Sequence, residues 1–179
     1  MLSKVKKSLL ILIVAILMTA CKSSKTTTIS TSESNEESTK EKSSKKKSSE
    51  NKKIEVIIKA ARSYTGTPYK YGGTSRSGID CSGFVGASYK AAEITLPRTA
   101  NDQSAIGKVV SLKELKKGDL VFFTDKKGHK KITHVGMITE VKGTDSAKFI
   151  HASTKTGVVE VELFSDYYRP LIVKAVRIL

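Results

Sequence analysis

Asp80-Cys81-Ser82-Gly83-Phe84-Val85 is the stretch from which the rest of the chain can be read. Asp80, or the residue beside it, can cap a helix that starts near Cys81 and carries apolar residues at Phe84, Val85, Ala87 and Ala91. A cysteine in the first turn of a helix faces backbone N–H groups that have no partner within the helix. It also sits at the positive end of the helix dipole. Both favour thiolate over thiol. Gly83 lets another backbone or a substrate come close. The other reading of Cys81 is a small buried hydrophobe, and the flanking Asp80, Ser82 and glycines argue against it.

Upstream, residues 65–79 hold Gly66, Pro68, Gly72, Gly73 and Gly78, which reads as a loop with several tight bends. Before it, Ile54, Ile57, Ile58 and Ala61 fall at helical spacing, predicting a helix over 54–64. A second short helix is expected over 99–106. Further on the period changes to two, and residues 119–124, 133–141, 147–153, 157–163 and 171–178 read as strands with glycines near their turns. Helices first and a run of antiparallel strands after predict an α+β domain, its helices packed on one side of a sheet of about five strands.

The ends of the chain read differently. Lys4, Lys6 and Lys7 precede ten apolar residues at positions 9–18, followed by Thr19, Ala20 and Cys21. Ten is well short of the roughly 18 to 20 that cross a bilayer, so residues 1–20 are expected to be a secretory signal peptide. Leu17-Met18-Thr19-Ala20-Cys21 resembles a bacterial lipoprotein lipobox, with Met18 in place of the usual leucine. That resemblance implies lipidation at Cys21. The expected location is an exported protein anchored by lipid to a bacterial membrane, the outer one facing the periplasm if there are two. Residues 22–53 contain 15 Ser/Thr, nine Lys and five Glu, with Ile29 the one hydrophobic residue. Such a composition buries too little to offset chain entropy, so 21–53 is expected to be a disordered tether spanning about 30 Å on average.

Residues 54–179 are left as one domain, expected to act as a monomer, with 20 Lys/Arg against 12 Asp/Glu, a net +8. That balance suits nucleic acid, an anionic membrane or an anionic wall polymer. Export argues against nucleic acid. With Cys21 acylated, Cys81 has no disulfide partner. A thiol nucleophile needs a base, and the chain has three histidines. His134 opens an apolar strand and His151 lies in the next one. If those strands pair across the turn near Gly143, their rings meet, giving a base and a group to orient it. His129 lies among Lys126, Lys127, Lys130 and Lys131 and reads as solvated.

Five separated motifs now bear on one family: Tyr69-Lys70-Tyr71-Gly72-Gly73; Gly78-Ile79-Asp80-Cys81-Ser82-Gly83-Phe84-Val85; Leu96-Pro97-Arg98-Thr99; Gly118-Asp119-Leu120-Val121-Phe122-Phe123; and His134-Val135-Gly136. In order and spacing they resemble the NlpC family of papain-like cell-wall cysteine peptidases. The resemblance covers nearly all of 54–179. It implies a papain-like fold, with Cys81 as nucleophile, His134 as general base and His151 as the residue that orients it. It also implies Tyr69 as an oxyanion support, Asp80 and Ser82 as contacts for a free substrate amine, and Arg98 beside the groove. The implied partners are peptidoglycan stem peptides, cut between D-γ-glutamate and a diamino acid through a thioester, with no metal or other cofactor. Three other readings remain: a zinc hydrolase liganded by Cys81, His134 and His151, a non-catalytic wall-binding lipoprotein, and an amidase or acyltransferase on the same scaffold.

Overall fold

The computed structural model describes residues 34–179, with side chains described from residue 45 onward. The apolar run at 9–18, the lipobox and Cys21 lie outside the described residues. Among the described residues, no helix is long and apolar enough to cross a membrane.

Helix α1 runs Ser34–Arg62. This differs from the sequence expectation, which keeps a disordered tether to residue 53 and starts the helix at 54. Composition argued for coil, yet residues 34–62 contain no glycine or proline and are rich in glutamate and lysine, both good helix formers. An i,i+4 pair between Lys46 and Glu50 (3.9 Å) adds a little on the solvent side. The last turns pack into the domain: Ile57, Ile58 and Ala61 are buried, and Ile54 packs at the edge of the same core. The apolar period therefore located the packed turns, while the helix itself begins well before them.

A tight hairpin follows, β1 (Thr74–Ser75) against β2 (Gly78–Ile79), within the segment read from sequence as loop. Next come α2 (Cys81–Lys90) and the short α3 (Ala100–Gln103). Thr99 caps α3, which is four residues long and falls short of the expected 99–106. The main sheet has six strands: β3 (Lys108–Val110), β4 (Leu120–Phe123), β5 (His134–Gly143), β6 (Ser146–Ser153), β7 (Gly157–Glu162) and β8 (Ile172–Arg177). Their order is β3-β8-β4-β5-β6-β7, with every neighbour antiparallel. Five were expected. The sixth, β3, is three residues long and pairs only with β8, too short for a period of two to register.

The α+β expectation holds in outline, with α1 and α2 packed on one face of the sheet. Phe84, Val85 and Tyr89 from α2 meet Leu120, Phe122, Val135, Met137 and Ile150 there. Burying a side chain such as Phe84 is worth about 1.5–3 kcal/mol, so this layer fixes α2 on the sheet. The opposite face is not open: Val121, Phe123, Ile138 and Phe149 are covered by Leu115, Leu163, Phe164 and Tyr168 from the connecting segments. That is why β4 is buried at all four positions. At the base of α2, the Tyr89 hydroxyl donates to the Gly118 carbonyl. Beside it, Arg177 forks onto the buried Asp119 at 2.8 and 2.7 Å.

Candidate active site

Asp80 caps α2 in the way the sequence suggests. Its backbone is extended (φ −93°, ψ 174°) and its Oδ1 accepts from the Gly83 N–H at 2.7 Å. The cap can close because residue 83 lacks a side chain: a Cβ there would lie 2.5 Å from the Gly73 carbonyl oxygen. The neighbouring Gly72 N–H donates to Asp80 Oδ2 at 3.0 Å. Arg98 grips the same carboxylate, with Nη2 to Oδ2 at 2.6 Å and Nη1 to Oδ1 at 3.1 Å, and Nη1 also reaches Ser82 Oγ at 3.0 Å. Ser82 Oγ donates to Asp80 Oδ1 at 3.3 Å. Burial opposes ionisation of Asp80, but Arg98, the Gly83 N–H and Ser82 outweigh it and hold the carboxyl below its ordinary range. Ser82 Oγ keeps one lone pair free for a donor in the cleft.

The capped turn places Cys81 as the first residue of α2 with its side chain buried, 7% exposed. The backbone N–H groups of Val135, of Ser82 and of Cys81 itself lie on the sulfur's side and favour its charged form. The sulfur therefore sits at the start of β5, beside the residue that follows His134. Here the structure corrects one expectation. A helix N-terminus alone favours thiolate, but burial is the larger effect and pushes the thiol up, with the Asp80 charge adding to it. Cys81 rests as a thiol.

His134 and His151 do meet. The β5–β6 pairing sets Met137 opposite Ile150, and the two rings stand nearly perpendicular with centroids 5.0 Å apart. His134 Nε2 and His151 Nδ1 are 2.8 Å apart. Burial lowers the His134 pKa to about 4. Burial, together with the charge of His134, lowers that of His151 to about 3. Both are therefore neutral near pH 7, and Nδ1 is the ring nitrogen of His134 that His151 does not engage. His129 is exposed on the β4–β5 loop and pairs with Asp125 at 3.4 Å, away from the imidazole pair. Among the described residues, no three His, Cys, Asp or Glu side chains are grouped to hold a metal ion. Two ring nitrogens that a zinc reading would use are hydrogen-bonded to each other.

Tyr69 lies between two clefts. One, of about 400 Å³, is lined by Cys81, Ser82, Arg98 and Thr133. The other, of about 650 Å³, is lined by His134, His151, Tyr167 and Tyr168. Tyr69 and Thr133 border both. Burial, with the negative forms of Cys81 and Asp80 nearby, raises the Tyr69 phenol, so it stays a hydrogen-bond donor. All seven site residues expected from sequence border these two clefts. The arrangement gathers a thiol, two neutral imidazoles and phenol and amide donors around adjoining clefts, side-chain types that acyl transfer can use.

Two supporting residues escaped the sequence reading. Gln103, fully buried, donates through Nε2 to the carbonyls of Ser82 (3.0 Å) and Pro97 (2.8 Å), tying the Arg98 segment to α2. Tyr168 hydrogen-bonds His151 Nε2 at 3.1 Å. Neither lies in a motif or on an apolar period, so the sequence carried no signal for them.

The sequence pattern of the NlpC/P60 family matches residues 66–177. The chain belongs to the NlpC/P60 family. Its match takes in the capped cysteine, both histidines and Tyr168. Among NlpC/P60 relatives, the chain is 40% identical over 118 residues to the probable endopeptidase NlpC of Escherichia coli K12, covering 65% of this chain and 73% of that one. It is 42% identical over 103 residues to a gamma-D-glutamyl-L-lysine dipeptidyl-peptidase of Bacillus subtilis, covering 58% of this chain and 33% of the relative. A crystal structure of an NlpC/P60 family protein from Bacillus cereus superposes with a TM-score of 0.64 at 33% identity, covering 70% of this chain and 40% of that one. Against the last two, the NlpC/P60 domain spans well under half of the other protein. The fold is thus the papain-like one expected.

Proposed function

We propose that this protein is a peptidoglycan endopeptidase that hydrolyses the amide between D-γ-glutamate and a diamino acid of the stem peptide, through a thioester on Cys81. The observation that carries this reading is the buried Cys81 thiol at the head of α2, on the same side as the backbone of Val135, which follows His134 of the hydrogen-bonded His134–His151 pair. The names of the relatives, a probable endopeptidase and a gamma-D-glutamyl-L-lysine dipeptidyl-peptidase, support the choice of bond.

His134 Nδ1 takes the proton from Cys81 as the sulfur attacks the scissile carbonyl carbon. Charge then develops on the carbonyl oxygen, where the Cys81 N–H and the Tyr69 hydroxyl are available as donors. Collapse of the tetrahedral intermediate breaks the C–N bond, and His134 returns the proton to the departing amine. Water, deprotonated by His134, next attacks the thioester carbon and releases the acid and the free thiol. Ser82 Oγ and the Asp80 carboxylate meet the free amine of the stem in the 400 Å³ cleft, with Arg98 holding both in place. Cys21 acylation, and a tether formed by the residues before the domain, would keep the catalytic unit at a membrane facing the wall.

The test is incubation of the protein with a stem tetrapeptide bearing a free L-alanine, products being followed by mass spectrometry against a Cys81→Ala control. Release of L-Ala-D-Glu by the wild type alone is the expected result. An intact peptide, with folding verified by circular dichroism, would refute the reading.

A further inference from the structure

Tyr168 stands in the segment between β7 and β8 with its ring held on several sides. It meets Phe149 edge-on at 4.9 Å between centroids, Phe123 at 5.9 Å and Tyr167 at 4.8 Å. Its backbone N–H is fixed by Ser165 Oγ at 3.3 Å, and its carbonyl accepts from Leu171 at 3.0 Å. Its hydroxyl is 3.1 Å from His151 Nε2 and makes no other hydrogen bond among the described residues. A phenol held this tightly at the far end of an imidazole pair raises the question of which way the protons run.

Two neutral imidazoles joined by one hydrogen bond have linked tautomers. In one arrangement His134 Nε2–H donates to His151 Nδ1, and His151 Nε2–H donates to the Tyr168 oxygen. His134 Nδ1 then offers a lone pair to Cys81. In the other, the Tyr168 hydroxyl donates to His151 Nε2, and His151 Nδ1–H donates to His134 Nε2. His134 Nδ1 then carries a proton and is no base. The first arrangement suits a thiol at the cysteine end, since His134 Nδ1 is then a good acceptor for an S–H, whereas the second would leave there an N–H for which sulfur is only a weak acceptor. At the other end the first needs an acceptor for His151 Nε2–H, and the Tyr168 oxygen is the one present. Its own proton is free to turn toward the 650 Å³ cleft that Tyr168 lines.

We propose that Tyr168 is a positioning residue that terminates the imidazole pair and sets its tautomer, so that His134 presents an unprotonated Nδ1 to Cys81. The catalytic consequence rests on the peptidase reading above, whereas the tautomer itself does not. When His134 takes the thiol proton, its Nε2–H must still donate to His151 Nδ1, and His151 Nε2–H must still have somewhere to go. Tyr168 thus serves the charged state as well as the resting one.

The experiment is nitrogen NMR of the histidine side chains in ¹⁵N-labelled protein, where three imidazoles are to be assigned, followed by kinetics. In the wild type, His134 is expected in the Nε2–H form. Tyr168→Phe keeps the ring but leaves His151 Nε2–H without an acceptor. A stranded buried N–H is the larger penalty than a stranded lone pair, so the balance moves against the active tautomer by about tenfold. The His134 signals should shift toward the Nδ1–H form, and kcat should fall about tenfold with KM within about twofold. In a His151→Asn background the amide oxygen accepts from His134 without needing a terminal partner, so there Tyr168→Phe should cost less than about twofold. A wild-type His134 in the Nδ1–H form overturns the proposal without recourse to any variant. So does an unchanged tautomer in Tyr168→Phe, or an equal loss of kcat in both backgrounds. Absence of turnover in the wild type would strike the peptidase reading and leave the NMR result to decide the tautomer.

Discussion

Acidification from pH 7 to pH 5.5 separates this site from one built on an ordinary imidazole. Burial takes His134 from 6.5 to about 4, a displacement worth on the order of 3 kcal/mol at 1.36 kcal/mol per unit. For a base with a pKa of 6.5, the unprotonated fraction drops about eightfold over that interval. For one near 4 it drops by only about 3%. Asp80, held below its ordinary range, stays ionised throughout, and neither the amine nor the carboxylates of a stem peptide change charge appreciably. The quantity to measure is kcat/KM, which reports the free enzyme, taken from initial rates on the stem tetrapeptide between pH 4 and 8. The expected profile is flat to pH 5.5, with an acid limb near 4. A limb near 6.5 would refute the argument that burial keeps the pair neutral. The same displacement has a stability counterpart. The unfolded chain takes up its proton first, so His134 contributes fully above pH 6.5 and the contribution is lost as pH falls from there toward 4. By pH 5.5 that loss is about 1.4 kcal/mol, readable as a lower urea midpoint.

Other outcomes follow from other parts of the fold. Iodoacetamide should label Cys81, read by mass spectrometry of its peptide, more slowly at pH 7.5 than it labels a free cysteine, with the rate climbing at more alkaline pH, because burial raises the thiol. Asp119→Ala should cost about 3 kcal/mol, the lower end for a broken buried ion pair because Arg177 is partly exposed, and should lower Tm by about 10 °C. Gly83→Ala should cost about 2 kcal/mol, since its Cβ would meet the Gly73 carbonyl at 2.5 Å. It should impair turnover out of proportion to stability, because the turn it pushes carries the Gly72 N–H that Asp80 uses. Thermal melts beside initial rates for each variant decide both.

Much of the site was legible because its parts are local. A cap, a first-turn cysteine and a glycine three residues past the cap describe one turn of helix, and α2 begins where they place it. The His134–His151 contact was legible through one inference, the β5–β6 hairpin, since an antiparallel pair fixes which residues face one another. Contacts that depend on long-range packing were not. Tyr168 reaches His151 because the 163–172 connection folds over the sheet face that carries Phe123 and Phe149, and nothing in the local sequence encodes that crossing. The thiolate expectation failed for the same reason. Helix geometry is visible at Cys81, but the depth of its burial depends on β5 and on the 65–79 loop closing over it. The length of α1 departs in the opposite direction, since composition predicted too little order in a stretch without an apolar period.

Burial at Cys81 and at the imidazole pair has one effect seen from two sides. Desolvation raises the thiol and lowers both histidines, so the resting site holds no charge between sulfur and ring. Proton transfer from Cys81 to His134 in the empty site would create a separated charge in a poorly solvated place. That is unfavourable until something offsets it. The groups able to offset it already point the right way: backbone N–H groups at the sulfur, a protonated Tyr69 at the rim, and His151 at the far side of His134. They gain most when charge appears, because fixed dipoles in a dry site need no reorganisation. A substrate carbonyl seated against Cys81 gives the electrons a destination, and only then is the transfer favourable. Under the proposed mechanism charge development is thereby tied to substrate occupancy, and the resting site is spared a standing thiolate that oxidants would attack.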